Sequence, residues 1–236
     1  MTAVATRLER LDWAALARDL DVRGHALTPP LLTAVECRRL AGLWERPERF
    51  RSHIDMARHR FGDGEYRYFT DPLPPVVAEL RREAYARLVP IANRWTAMLG
   101  GRQRYPDDLA AFVASCAARG QRRPTPLLLR YTAGGYNCLH QDLYGAVAFP
   151  LQLTILLSRP GIDFSGGEIL LVEQRPRAQS RGQAIVLAQG QAVIFPNRHR
   201  PVEGARGPYR VTVRHGVSDV HAGERRTLGV IFHDAE

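Results

Sequence analysis

Lysine is absent from this chain, so all 33 of its strongly basic side chains are arginine. Against 24 acidic residues they leave a formal charge of +9 and a pI near 10.2. Arginine binds phosphate and stacks on bases better than lysine does, which makes nucleic acid a reasonable partner. A GC-rich genome that writes arginine in place of lysine would give the same composition, and these arginines are spread along the chain rather than gathered in one run. Cysteine is also scarce. Cys37, Cys116 and Cys138 are odd in number and widely spaced, which excludes a disulfide framework and a zinc spacing, and suggests a reducing, cytoplasmic setting. No apolar run approaches the roughly 18 residues that a bilayer span needs, so no membrane role is expected. The stretch MTAVATRLERLDW has no apolar centre and no small-residue cleavage site, so it does not read as a secretory signal. Internal repeats and low-complexity tracts are lacking too.

What remains is an ordinary globular composition: 236 residues, 45% apolar and 24% charged, enough for a full core in one or one and a half domains. The first half reads as helical. Leu8, Leu11, Ala14, Leu16 and Leu20 fall near helical spacing over 7–20. A turn is expected at HALTPP, followed by a second helix in LLTAVECRRLAGLW capped by Thr28 or Thr33. Residues 52–69 suggest two strands about a GDGE turn. A long amphipathic helix spans about 75–99, with Pro90 a candidate kink, and DDLAAFVASCAAR gives a shorter one. Trp44 and Trp95 are expected in the core.

The segment GQRRPTP, residues 120–126, marks a change of regime. Beyond it lie eight short β-rich segments: LLLRYT, YNCLH, LQLTILLS, GGEILLV, QAIVLA, QAVIFP, YRVTVRHGV and RTLGVIFH. Eight strands at close spacing argue a jelly roll or barrel, and helices before strands argue an α+β protein. The expected division is a mainly helical region over 1–119 packing on a β domain over 120–236.

The chemistry centres on His140, Asp142, His215 and Arg225. Two imidazoles and a carboxylate are the ligand set of a non-haem Fe(II) centre with open positions for substrate and oxygen. Arg225 offers the bidentate cation that a dicarboxylate cosubstrate needs. An HxD pair alone is weak, since roughly one HxD or HxE arises by accident in such a chain. A second pair, His53 and Asp55, is present. Only the 140/142 pair opens a long β segment that can bring a distant histidine back. Among the candidates for that histidine, His199, His221 and His233 lie in a turn, in a loop and near the C-terminus. His215 ends a strand, and a reversal at Gly223 would carry Arg225 to the same end of the neighbouring strand.

These residues resemble the Fe(II)/2-oxoglutarate-dependent dioxygenases built on a double-stranded β-helix. The resemblance covers roughly residues 125–234 and includes HQD (140–142), FSGGEILL (164–171), GQAVIFP (190–196) and HGVSDVHAGERRTL (215–228). The last is similar to the prolyl-hydroxylase-type pattern H-x-V-x-x-V-x-x-G-x-R. More narrowly, YNCLHQDLYG and RHGVSDVHAGERRTLGVIFHDA look like a bacterial family described as oxygenases acting on damaged DNA. The resemblance implies a double-stranded β-helix core buttressed by the N-terminal helices. It implies iron held by His140, Asp142 and His215, with 2-oxoglutarate and O2 as cosubstrates. Arg225 and Thr227 would meet the distal carboxylate of 2-oxoglutarate, and Tyr131 occupies a position from which a tyrosine often contacts it. Arg226 points to the other strand face and reads as a surface charge, and Gly166 and Gly167 read as a turn. Nucleic-acid dealkylases of this superfamily carry a second arginine beyond the cosubstrate arginine, and here none follows Arg226.

Substrate choice falls to the rim. Tyr136, Asn137 and Tyr144 flank HQD. Arg58, Arg60 and Arg67, interleaved with His59, Phe61, Tyr66, Tyr68 and Phe69, can bind a phosphate backbone and stack a flipped base; the plainer reading is a hairpin of solvated arginines and packed aromatics. The leading expectation is an oxygenase acting on alkylated DNA or RNA, in effect DNA repair. The alternatives are a protein or small-molecule hydroxylase of the same superfamily, and a catalytically silent β-barrel binding module.

Overall fold

The computed structural model describes residues 3–236, so the first two residues of the N-terminal stretch lie outside the described residues. Among the described residues there are six α-helices: α1 (Ala3–Glu9), α2 (Trp13–Arg23), α3 (Ala34–Gly42), α4 (Met56–His59), α5 (Pro75–Met98) and α6 (Leu109–Ala117). Strands before α5 are β1 (Ala26–Pro30), β2 (Phe50–Asp55), β3 (Gly62–Asp63) and β4 (Glu65–Phe69). After α6 come β5 (Leu127–Thr132), β6 (Tyr136–His140), β7 (Leu151–Leu156), β8 (Phe164–Gly166) and β9 (Ile169–Gln174). The remaining strands are β10 (Arg181–Ile185), β11 (Gln191–Pro196), β12 (His199–Val202), β13 (Tyr209–Val217) and β14 (Val220–Val230). No helix among the described residues is long and apolar enough to cross a membrane.

Two antiparallel sheets face one another. The larger runs β1-β11-β7-β14-β5-β4-β2, and the smaller runs β10-β9-β13-β6-β3. From β5 to β14 the chain crosses between the sheets at most steps, with β9 and β10 joined as a hairpin in the smaller one. This winding is that of a double-stranded β-helix, and its eight core strands are the eight expected β segments. Period-two alternation then sorts the side chains of the larger sheet. Ala192, Ile194, Leu128, Leu228 and Val230 turn outward into a core shared with the helices. Tyr131, Val193 and Phe195 turn inward into a second core between the sheets. The outer core is filled from α5, whose Leu80, Ala84, Tyr85, Leu88, Ala92 and Trp95 are buried. Helix α5 runs through Pro90 without a break.

Several N-terminal elements differ from expectation. The single helix over 7–20 is two helices, because Asp12 caps α2 by accepting from the Ala15 amide and so ends the first one. HALTPP is not a turn: β1 adds to the edge of β11. Thr33, not Thr28, caps α3, in a reciprocal capping box with Glu36. The expected hairpin over 52–69 exists as β2 and β4, but α4 and β3 fill the connection and GDGE is not its turn. Strands from before residue 120 therefore extend the larger sheet at both edges. Two buried arginines fasten the periphery. Arg200 pairs with Glu173 and donates to the Asp21 carbonyl at 2.9 Å, and Arg81 bonds Asp234 at 2.6 Å and the carbonyls of Ile231 and Phe232.

Candidate active site

The mouth of the β-helix holds a cluster of donors. His215 and His140 sit opposite one another in the β13–β6 pairing, with ring centroids 4.2 Å apart. Asp142 lies two residues beyond the end of β6, its Oδ2 3.0 Å from His215 Nε2 and its Oδ1 3.6 Å from His140 Nε2. One ligand atom from each residue falls within 4.8 Å of the others, and this is the group of three potential metal ligands found among the described residues. His140 Nδ1 is 2.7 Å from the Cys138 carbonyl, so it carries the proton and leaves Nε2 as a free lone pair facing the cluster. Burial and the neighbouring His215 hold the His140 imidazole below its ordinary value, in the neutral form a metal requires. Burial alone would raise the Asp142 carboxyl, but His215, His140 and the Tyr144 hydroxyl outweigh it and keep the group well below the usual carboxylate range.

Deeper between the sheets lies Arg225, on β14 directly opposite Tyr131 of β5. It is 2% exposed, and among the described residues its Nε and one terminal nitrogen have no hydrogen-bond partner. Burial draws its pKa down to about 10, which still leaves a cation at neutral pH. A buried guanidinium without a carboxylate partner is costly, and it fits the bidentate carboxylate of a small diacid. Thr227, two residues on, faces the same cavity, as alternation requires. Tyr131 is fully buried, its hydroxyl pushed up to about 12 by burial, and it accepts from Asn137 Nδ2 at 3.2 Å. With that bond its own proton is directed elsewhere. Gly167 makes room for Arg225: at φ +65°, a Cβ there would lie 2.7 Å from Arg225 Cδ.

One cavity of about 380 Å³ joins the donor cluster to Arg225, a size within the range of small-molecule sites. His140, Asp142, His215, Arg225, Tyr131 and Thr227 all line it, as do Asn137 and Tyr144. Tyr144 reaches Asp142, donating to Oδ1 at 2.6 Å, and Asn137 reaches Tyr131. Tyr136 is 39% exposed and does not line the cavity, and Arg58 lies in a separate depression, paired with Asp55 at 3.2 Å. His53 of the second HxD pair bonds Glu65, and Asp55 caps α4, so neither joins the cluster. Gly223 is not the reversal expected of it. The chain turns at Ser218 and Asp219, Gly223 lies within β14, and β13 and β14 belong to opposite sheets. His215 and Arg225 thus line one cavity from opposite sheets rather than lying along one sheet. Arg226 points away, donating to the Ala41 carbonyl and pairing with Glu224.

Sequence reasoning missed Gln152. It is buried on β7, where its amide donates to Asp142 Oδ2 at 2.8 Å and lies 3.3 Å from His215 Nε2. Its signal was available: a glutamine inside the run LQLTILL, apolar but for it and Thr154, needs a polar partner in the interior. Thr154, two residues on, lines the same cavity. Among the interleaved aromatics, Phe61, Tyr66 and Tyr68 line the cavity, whereas Arg67 lies over the Trp44 ring at 4.3 Å and donates to the Trp44 carbonyl.

Residues 64–235 match the family Oxygenase-NA, described as an oxygenase catalysing oxidative methylation of damaged DNA. An uncharacterized protein of Mycobacterium tuberculosis (strain CDC 1551 / Oshkosh) is 52% identical over 167 residues, 71% of this chain and 72% of that protein. Among solved structures, a Pseudomonas putida prolyl-4-hydroxylase superposes with a TM-score of 0.55 at 15% identity, covering 95% of this chain and 99% of the other. A Burkholderia pseudomallei oxidoreductase of the 2OG-Fe(II) oxygenase family gives 0.53 at 19% identity, covering 93% and 89%. At these identities the two structures share the fold.

Proposed function

This chain belongs to the oxygenase family that matches residues 64–235, and from that membership we propose that it is an Fe(II)- and 2-oxoglutarate-dependent dioxygenase that hydroxylates a methyl C–H bond on a damaged nucleobase. His140, Asp142 and His215 would hold the iron, and Arg225, Thr227 and Tyr131 would hold the far carboxylate of 2-oxoglutarate. When bound, iron, 2-oxoglutarate and O2 together supply the oxidation: one oxygen atom enters succinate as CO2 is lost, and the other is inserted into the substrate C–H bond. The chain's own part is placement. Gln152 and Tyr144 orient the Asp142 carboxylate, the Cys138 carbonyl sets the His140 tautomer, and the apolar walls at Ile169 and Phe195 exclude water. A methyl carbon on nitrogen that gains a hydroxyl is lost as formaldehyde, so the oxidative step removes the methyl group.

The observation that carries this reading is the pairing, in one cavity, of a two-histidine, one-carboxylate cluster with a buried Arg225 that has no carboxylate within ion-pair distance among the described residues. The test is succinate formation with Fe(II) and formaldehyde release from N-methylated oligonucleotides. His215→Ala should abolish both. Equal 2-oxoglutarate turnover by wild type and His215→Ala would overturn the site. Hydroxylated product formed from peptides, with no formaldehyde from oligonucleotides, would move the substrate to protein.

A further inference from the structure

The connection between β2 and β4 carries a feature that the oxidation itself does not use. Arg60 adopts the left-handed conformation, φ 60°, which is unusual for a residue with a side chain. On either side of it the His59 and Phe61 rings stack on each other, 5.3 Å apart and 21° from parallel. Phe61 is 47% exposed, so this ring pair faces solvent rather than the core. The corner is nonetheless firmly seated. Met56 is fully buried and bonded through its amide to the Gly64 carbonyl; Phe61 donates its amide to the Met56 carbonyl and accepts the Cys138 amide at 2.8 Å. Arg60 and Phe61 both line the mouth of the cavity above the metal-ligand cluster. A rigid, exposed aromatic stack flanked by a cation is suited to a π-face that carries phosphate.

We propose that His59 and Phe61, with Arg60, form the platform on which an unpaired nucleotide beside the target base stacks, so that the enzyme takes single-stranded nucleic acid in preference to duplex. This rests on the reading of the cavity as an oxygenase site for a nucleobase. Two observations point to an unpaired strand. Asp142 and His215 are recessed and buried, so a base must leave its stack to reach them. Phe61 lines the mouth with His59 stacked behind it, and its ring can cover a base face only where that base is not already stacked on its neighbours, as in a flexible single strand. Charge is complementary as well: Arg60 lies at the mouth, and the protein's net charge is +9.

Fluorescence anisotropy with the full chain tests this, using an unmethylated fluorescein-labelled oligodeoxynucleotide as single strand and as duplex. The single strand should bind about tenfold more tightly than the duplex, and Phe61→Ala should lose about that factor on the single strand. Phe61→Trp should match or exceed wild type. Arg60→Gly, which keeps the left-handed corner, should weaken binding and flatten its salt dependence. A 2-aminopurine in the strand should be quenched on binding to wild type and not to Phe61→Ala. Equal affinity for duplex and single strand, or unchanged single-strand binding by Phe61→Ala, overturns the proposal. None of these readouts needs turnover. Succinate formation without strand binding would therefore sink the platform alone, and strand binding lost in Phe61→Ala without succinate formation would sink the oxygenase reading alone.

Discussion

Gln152 donates its side-chain amide to the Asp142 carboxylate at 2.8 Å, and the same nitrogen lies 3.3 Å from His215 Nε2. One residue of the larger sheet thus touches two of the three proposed metal ligands, which come from a loop after β6 and from β13. Such supporting bonds keep ligand atoms converged before a metal arrives.

Gln152→Leu should therefore weaken divalent-metal binding by about 10- to 100-fold while leaving the fold intact. Titration of Mn(II) or Co(II) into the metal-free protein checks it. Gln152→Glu should be worse than Gln152→Leu, because it sets a second carboxylate against Asp142. Equal metal affinity in all three proteins would mean that Gln152 only fills space.

Arg225 separates stability from binding. Its guanidinium is buried without a carboxylate partner, so Arg225→Met should not lower the melting temperature of the metal-free protein, and an increase is expected. Binding of 2-oxoglutarate should weaken by on the order of 2–5 kcal/mol, the usual consequence of losing a buried charge-assisted contact. Calorimetry with Mn(II)-loaded protein reads the affinity, and a thermal scan reads the stability. A marked fall in melting temperature with unchanged affinity would reverse the assignment.

Gly167→Ala should act through Arg225. The left-handed backbone costs about 1–2 kcal/mol for a residue with a Cβ, and that Cβ would lie 2.7 Å from Arg225 Cδ. Reduced stability together with a raised KM for 2-oxoglutarate is the expected pair of effects. Loss of stability alone would show that Arg225 relaxes out of the way.

His233 predicts an acid limit. Burial, opposed by nearby Asp142, lowers its pKa from 6.5 to about 4, and its Nδ1 accepts the Phe149 amide. Above pH 6.5 the group is neutral in both folded and unfolded chains and folding is unpenalised. As pH falls from 6.5 towards 4 the unfolded chain takes up a proton that the folded one refuses, so stability is lost across that window. The interval from 6.5 to about 4 corresponds to about 3 kcal/mol. Denaturant unfolding from pH 7 to pH 4 should show this slope in wild type and a flatter one in His233→Leu.

Much of the site was legible because its signals are local. His140 and Asp142 sit two apart at a strand end, Arg225 and Thr227 two apart within a strand, and a period of two puts each pair on one side. Thr33, one of the two threonines expected to cap α3, is likewise a local signal, and the structure adds Glu36 as its partner in the cap. Gln152 is less legible, because its polar partners Asp142 and His215 lie on other elements and reach it only through the tertiary pairing. Arg58 and Tyr136 sit close in sequence to cavity-lining neighbours, but Arg58 lies in a separate depression beside Asp55 and Tyr136 is outside the cavity lining.

The amino-acid sequence by itself determined the chemical set: two imidazoles, a carboxylate and an arginine, carried on eight strands whose inward faces follow from alternation. Only the tertiary structure decided how they meet. Which strands pair is set by contacts between residues far apart in the chain, so nothing local says that β13 and β14 belong to opposite sheets or that HALTPP completes an edge. The same long-range packing brings Gln152 to Asp142 and leaves two nitrogens of the buried Arg225, lining the same cavity, without a hydrogen-bond partner among the described residues.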